Sequence, residues 1–157
     1  MRILDVPLLE VALYKHILIA TDGSDLAGRA VEQGLALAKA LKAKVTAVMV
    51  TEPWTSFAYG EAAVGFPIEE YEKAAAANAT AALAKVFDAA RACDVAFDTL
   101  HVPDQFPAEG ILAAATERGC DLIVMASHGR RGVSRLLLGS QTSKVVVQSL
   151  IPVLVCR

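Results

Sequence analysis

The chain has 157 residues, 55% of them hydrophobic and 20% charged, and a formal net charge of −2. That length suits a single domain of ordinary size, and the nearly neutral balance excludes a general basic field that would grip a nucleic-acid backbone. No apolar run approaches the roughly 18–20 residues needed to span a bilayer, so a cytoplasmic protein with no membrane and no nucleic-acid partner is expected.

Residues 1–13, MRILDVPLLEVAL, contain a single Arg2, an early Asp5 and Pro7 and lack a small-residue cleavage site, so they do not read as a signal peptide. They are expected to be an N-terminal extension to a domain over residues 14–157, and their spacing leaves open whether Leu8, Val11 and Leu13 pack or stay loose. Cys93, Cys120 and Cys156 show no CxxC or Cys/His ligand spacing. They read as reduced thiols.

The first strand is HILIA, residues 16–20, broken by the turn and capping residues TDGSD. A helix should begin at Ser24 or Asp25 and stop near Lys42, because Ala27, Ala30, Val31, Gly34, Leu35, Ala38 and Leu41 recur at spacings of three and four. VTAVMV, residues 45–50, is the second strand, ended by Pro53, which lacks a backbone donor. Residues 54–66 then hold Trp54, Phe57, Tyr59 and Phe66 with no clear period. They either pack over the sheet edge or form a lid.

From Pro67 to about Ala92 the pattern is helical, acidic early and basic late, with Ala79, Leu83, Val86, Phe87 and Ala90 as its buried stripe. Residues 94–102 alternate only partly and read as a strand near the sheet edge, where His101 is an ordinary strand residue. Ile111, Leu112, Ala115 and Arg118 mark a short helix with Glu109 at its start and Gly119 as its C-cap. The final strand, IPVLVC, is placed at an edge by Pro152.

Between these lies the stretch DLIVMASHGRRGVSRLLLGS, residues 121–140. Its continuous apolar start suits a strand buried on both faces of a parallel sheet, and Ser140 sits at a helix start, with Leu138, Thr142, Val145, Val146 and Ser149 in helical spacing. Glycines that admit close backbone approach, two arginines and a helix N-terminus together form a phosphate cradle. The spacing alone equally allows Gly129, Gly132 and Gly139 to make turns and Ser140 to cap.

Alternating strands and helices imply an α/β fold with one open parallel sheet covered on both faces. Ligands of such sheets sit beyond the carboxyl ends of the strands, where the order of connection reverses. That rule brings together Asp22, Val50 and residues 126–132.

With these residues in place the chain resembles the universal stress proteins, a family of small nucleotide-binding α/β proteins. The resemblance covers residues 14–157 and rests on YKHILIATDGSDLAGRAV, CDLIVMASHGRRGVSRLLLGS and SKVVVQSLIPVLVCR. It implies a Rossmann-like five-stranded sheet of order 3-2-1-4-5 and a homodimer formed through the last strand. One branch of the family binds ATP with the pattern Gly, two residues, Gly, nine residues, Gly, then Ser or Thr. Here Gly129, residues 130–138 and Gly139-Ser140 fit that pattern, while Ala126 stands where the first glycine belongs. Its extra methyl is expected to weaken binding rather than abolish it.

Carried over residue by residue, the resemblance implies that Asp22 and the main chain around Ala20 and Val50 face adenine and ribose. Gly129, Arg130, Arg131, Gly132, Ser140, Gln141 and Thr142 would face the phosphates, with Ala126, His128 and Gly139 completing the loop. His128 reads as a packing residue rather than a catalyst, since no carboxylate or nucleophile stands at a recognisable spacing from it. Mg²⁺ is expected only as the nucleotide's companion, held by phosphates and water. Without a placed general base or metal carboxylates, hydrolysis is at most slow. ATP binding with a regulatory output in the stress response is the expected function; a nucleotide-free dimeric scaffold is the alternative.

Overall fold

The computed structural model describes residues 13–56, 67–128 and 138–157. Strand β1 (His16–Ala20) is followed by helix α1 (Asp25–Leu41), β2 (Lys44–Val50), α2 (Ile68–Cys93), β3 (Phe97–Val102), α3 (Pro107–Glu117), β4 (Leu122–Ala126), α4 (Ser140–Gln148) and β5 (Val153–Cys156). All pairings are parallel, in the order β3-β2-β1-β4-β5. The expected fold class and strand order are therefore observed.

The two-residue period of each strand sorts its side chains between two core layers. Ile17, Ile19, Val45, Ala47, Met49 and Val124 pack with residues of α1 and α2, whereas Leu18, Ala20, Val48, Ile123 and Met125 pack with residues of α3 and α4. Both faces of β1 and β4 are thus sealed, which is why their sequences are continuously apolar.

Local chemistry sets the element ends. Ser24 caps α1, its side chain accepting from the Ala27 amide, and Lys42 closes that helix at a left-handed φ of 55°. Asp94 closes α2 in the same way, its amide donating to Ala90 and Arg91 carbonyls, so β3 begins at Phe97 rather than at 94. Helix α3 starts at Pro107, where a fixed φ and a missing N–H are harmless, and ends on Arg118; Gly119, expected as the cap, is the left-handed residue just after it.

One expected core residue lies elsewhere. Phe87 is 42% exposed and stands edge-on to Phe97, ring centroids 4.9 Å apart, with the Arg91 guanidinium over its face. Strand β3 is the sheet's outer strand, so Phe87 packs at the sheet's margin, against that strand's first residue. Val146 is likewise exposed, on the outer side of α4. The aromatic stretch 54–66 is described only for the short 3-10 turn Trp54–Ser56. Phe57, Tyr59, Phe66 and the extension's residues 1–12 lie outside the described residues. No helix among the described residues is long and apolar enough to cross a membrane.

Candidate functional site

The chain runs from β1 outward to β2 and β3, then returns to the other side of β1 to lay down β4 and β5. Strand ends diverge at such a reversal. A cleft of about 560 Å³ opens there, lined by residues from the ends of β1, β2 and β4 and from the starts of α2, α3 and α4. Ala20, Asp22, Val50, Ala126, His128, Gly139, Ser140, Gln141 and Thr142 all line it. Gly129, Arg130, Arg131 and Gly132 lie outside the described residues.

The end of β1 exposes an edge of β2. Pairing of the two strands closes with the Thr21 amide donating to the Val48 carbonyl at 2.9 Å. By the alternation of a strand, the N–H and C=O of Val50 face the same side as those of Val48, past the point where β1 turns away. They present a neighbouring donor and acceptor to the cleft. The turn itself is fixed by Thr21 Oγ1 and Asp22 Oδ1, which accept from the Gly23 and Ser24 amides at 3.1 and 3.0 Å. This holds the Asp22 carboxylate at the cleft wall.

On the other side, β4 and α4 are joined across their connecting loop by two bonds. Gly139 donates its amide to the Ser127 carbonyl at 2.8 Å, and Thr142 Oγ1 donates to the Ala126 carbonyl at 3.0 Å. Thr142 is buried and its hydroxyl proton is committed, so toward a ligand it has its backbone amide. Gly139 is the N-cap of α4 and offers no side-chain acceptor of its own to the first-turn amides of Ser140, Gln141 and Thr142. A Cβ at Gly139 would lie 3.2 Å from the Ser127 carbonyl oxygen and 3.4 Å from His128 Cα. The close approach of backbone to backbone favours glycine there.

The methyl of Ala126 is 7% exposed and belongs to the core layer beneath α1 and α2. His128 Nδ1 lies 3.1 Å from Ser127 Oγ, a contact within the loop. Gln141 Oε1 accepts from the Ala108 amide of α3 at 3.1 Å. Among the described residues lining the cleft there is no lysine or arginine. Among the described residues, the positive potential at that end comes from helix starts.

Several lining residues carried no motif signal. Tyr71, Ala74, Ala75 and Asn78 form one face of α2 toward the cleft, at offsets of 0, 3, 4 and 7; the helical spacing was there, but small and polar side chains do not announce a wall. Tyr71 donates its hydroxyl to the Glu52 carbonyl at 2.7 Å, tying this helix to the end of β2. Thr51, also in the cleft, has its Oγ1 3.0 Å from His101 Nε2, so His101 braces the end of β2 from β3. Burial lowers the pKa of His101. Gly110 lets α3 lie against Val50: a Cβ there would meet its Cγ1 at 2.7 Å. Among the described residues no group of three His, Cys, Asp or Glu side chains is arranged to hold a metal ion.

The sequence model of the universal stress protein family matches residues 13–157. A universal stress protein from Thermus aquaticus is 35% identical over 148 residues, which cover 92% of this chain and all of that one. Among solved structures, universal stress protein UspA from Lactobacillus plantarum is 28% identical with a TM-score of 0.79, covering 92% of this chain and 98% of the other. A universal stress protein in complex with cAMP, 24% identical, has a TM-score of 0.65 over 92% of this chain and 97% of its own.

Proposed function

Because the chain belongs to the universal stress protein family, we propose that its strand-end cleft binds an adenine nucleotide, ATP with Mg²⁺, as a regulatory ligand rather than a rapidly consumed substrate. One observation carries this reading: a single cleft holds both the peptide edge at Val50 and the glycine-capped start of α4. The first suits the hydrogen-bonding edge of a flat heterocycle, and the second suits an anion. They stand at opposite flanks of one cavity whose volume falls within the usual range of small-molecule sites.

In this reading the Val50 N–H and C=O meet the base, Val48, Ile111 and Met125 supply apolar contact for its ring, and Asp22 accepts from ribose hydroxyls. The first-turn amides of α4 and the Ser140 hydroxyl donate to phosphate oxygens, helped by Gly129, Arg130, Arg131 and Gly132. Mg²⁺ would ride on phosphates and water, since no described side-chain cluster is built to hold it. Ala126 is compatible with a ligand because its methyl is covered by the core. The cAMP complex of a protein with this fold agrees with adenine as the base class, while the choice of ATP rests on the resemblance of Gly129, residues 130–138 and Gly139-Ser140 to the pattern of the family's ATP-binding branch. The three unpaired thiols suit a reducing cytoplasm.

Calorimetric titration and thermal denaturation with MgATP test the proposal. Nucleotide at about 100 times Kd adds roughly 2.7 kcal/mol of stability, a shift of about 5–10 °C for a domain of this size. No heat and no shift at millimolar nucleotide would defeat it. The rival reading, a nucleotide-free scaffold, is favoured if only the Ala126→Gly variant binds.

We further propose a homodimer through β5, whose outer edge pairs with no other strand among the described residues. Val147, Leu150 and Leu154 are 82%, 102% and 40% exposed beside it, and an apolar edge of this kind invites pairing. Sedimentation at tens of micromolar should give a dimer that Val153→Glu or Val155→Glu dissociates; a monomeric wild type refutes it.

A further inference from the structure

Helix α3 begins without a cap of its own. Phe106 stands at its N-cap position with no side-chain acceptor, and Pro107 follows with no N–H, so Ala108 supplies the first donor of the helix. That amide is satisfied from another helix: Gln141 Oε1, in the first turn of α4, accepts it at 3.1 Å across 33 residues of sequence. Both Pro107 and Gln141 line the cleft. One residue past Glu109, Gly110 sets the α3 backbone directly on the Val50 side chain. A continuous series of contacts thus runs from the start of α4, through the first turn of α3, to the wall at Val50.

We propose that Gln141 is a positioning residue that caps α3 and so fixes the separation of the two ends of the cleft, instead of contacting phosphate with its carboxamide. The inference rests on the nucleotide reading above, yet one of its measurements needs no nucleotide. The Ala108 bond sets the direction of the carboxamide through its oxygen, and its loss would free the first turn of α3 to shift. Only the Nε2 end could donate to an anion, and the charge dependence of binding reads that contact. A looser α3 lowers the fraction of molecules with a competent cleft, and apparent affinity falls by that fraction whatever the charge of the ligand. A residue that touched phosphate would discriminate by charge.

Two variants of the full chain separate these roles. Gln141→Met keeps the length of the side chain and removes the acceptor; Gln141→Glu keeps an acceptor oxygen on the same stem and places it at a helix start that favours negative charge. Without nucleotide, amide hydrogen exchange at Ala108 should be slow in the wild type and in Gln141→Glu and about fivefold faster in Gln141→Met, the loss of one ordinary hydrogen bond. By calorimetry, Gln141→Met should weaken adenosine and ATP by the same factor, up to about fivefold, whereas Gln141→Glu should bind uncharged adenosine as the wild type does. Gln141→Ala serves in the same way if the methionine variant does not fold.

Equal Ala108 exchange in all three proteins would overturn the proposal. So would a Gln141→Met that loses affinity for ATP alone, which marks a phosphate contact, or one that melts earlier with both affinities intact, which marks a merely structural bond. A wild type that binds neither ligand refutes the nucleotide reading, and Ala108 exchange then decides the cap by itself.

Discussion

Replacing Gly110 by alanine should destabilise the protein, although the same change in most helix interiors is favourable. Alanine in a helix gains about 1 kcal/mol over glycine. Here the new methyl would lie 2.7 and 2.9 Å from the two γ-methyls of Val50 and 3.4 Å from Gln105 Oε1, where carbon atoms prefer about 3.5–4.0 Å. Relief needs a movement of nearly 1 Å, and a β-branched valine on a strand has little rotamer freedom to provide it. Overpacking of this sort costs about 1–3 kcal/mol, so the net loss is about 0–2 kcal/mol. Removing the obstacle should reverse the sign: in a Val50→Ala background, Gly110→Ala should stabilise by about 1 kcal/mol. Urea denaturation of the four proteins, with equal m values, measures a coupling of about 1–3 kcal/mol between the sites. A coupling near zero, with Gly110→Ala stabilising both backgrounds alike, would refute the tight seating of α3 on the cleft wall.

Thr142→Val, nearly isosteric, removes the buried bond to the Ala126 carbonyl and should cost about 1–3 kcal/mol in chemical denaturation, because that carbonyl is left unpaired. Stability should also fall as pH drops. His16 is buried, and burial first, then the charge of Lys44, holds its pKa below 6.5 against the opposing pull of Asp121. The unfolded chain therefore binds the proton more readily, so the contribution is complete above pH 6.5 and is lost as pH falls from there through the lowered folded value. His16→Gln should flatten this slope, and an unchanged slope would count against the assignment. Among the thiols, Cys120 is buried and its pKa is pushed up to about 11, chiefly by burial. A thiol-exchange reagent at pH near 8 should label Cys93, which is partly exposed, and reach Cys120 and Cys156 only on unfolding.

The sequence by itself determined the element order, because the periods of two and of three to four residues follow directly from backbone geometry. HILIA and LIVM suit strands sealed on both faces, and parallel strands joined through helices leave few topologies to choose from. It also marked Asp22, Val50 and residues 126–132 as neighbours, through the rule for strand-end crevices rather than through any local motif, and of these Asp22, Val50, Ala126 and His128 line the cleft. What tertiary structure alone decided was how each of these side chains is engaged. Thr142 and Gln141 look like ligand residues in a motif, yet one donates to Ala126 and the other caps α3. Tyr71 and Gly110 shape the cleft from helices with no motif at all. Phe87 fits a buried stripe and is nonetheless exposed, since the sheet ends at β3. Periodicity reports which face a residue occupies; which partner stands opposite depends on contacts far apart in sequence, and those exist only once the chain has closed on itself.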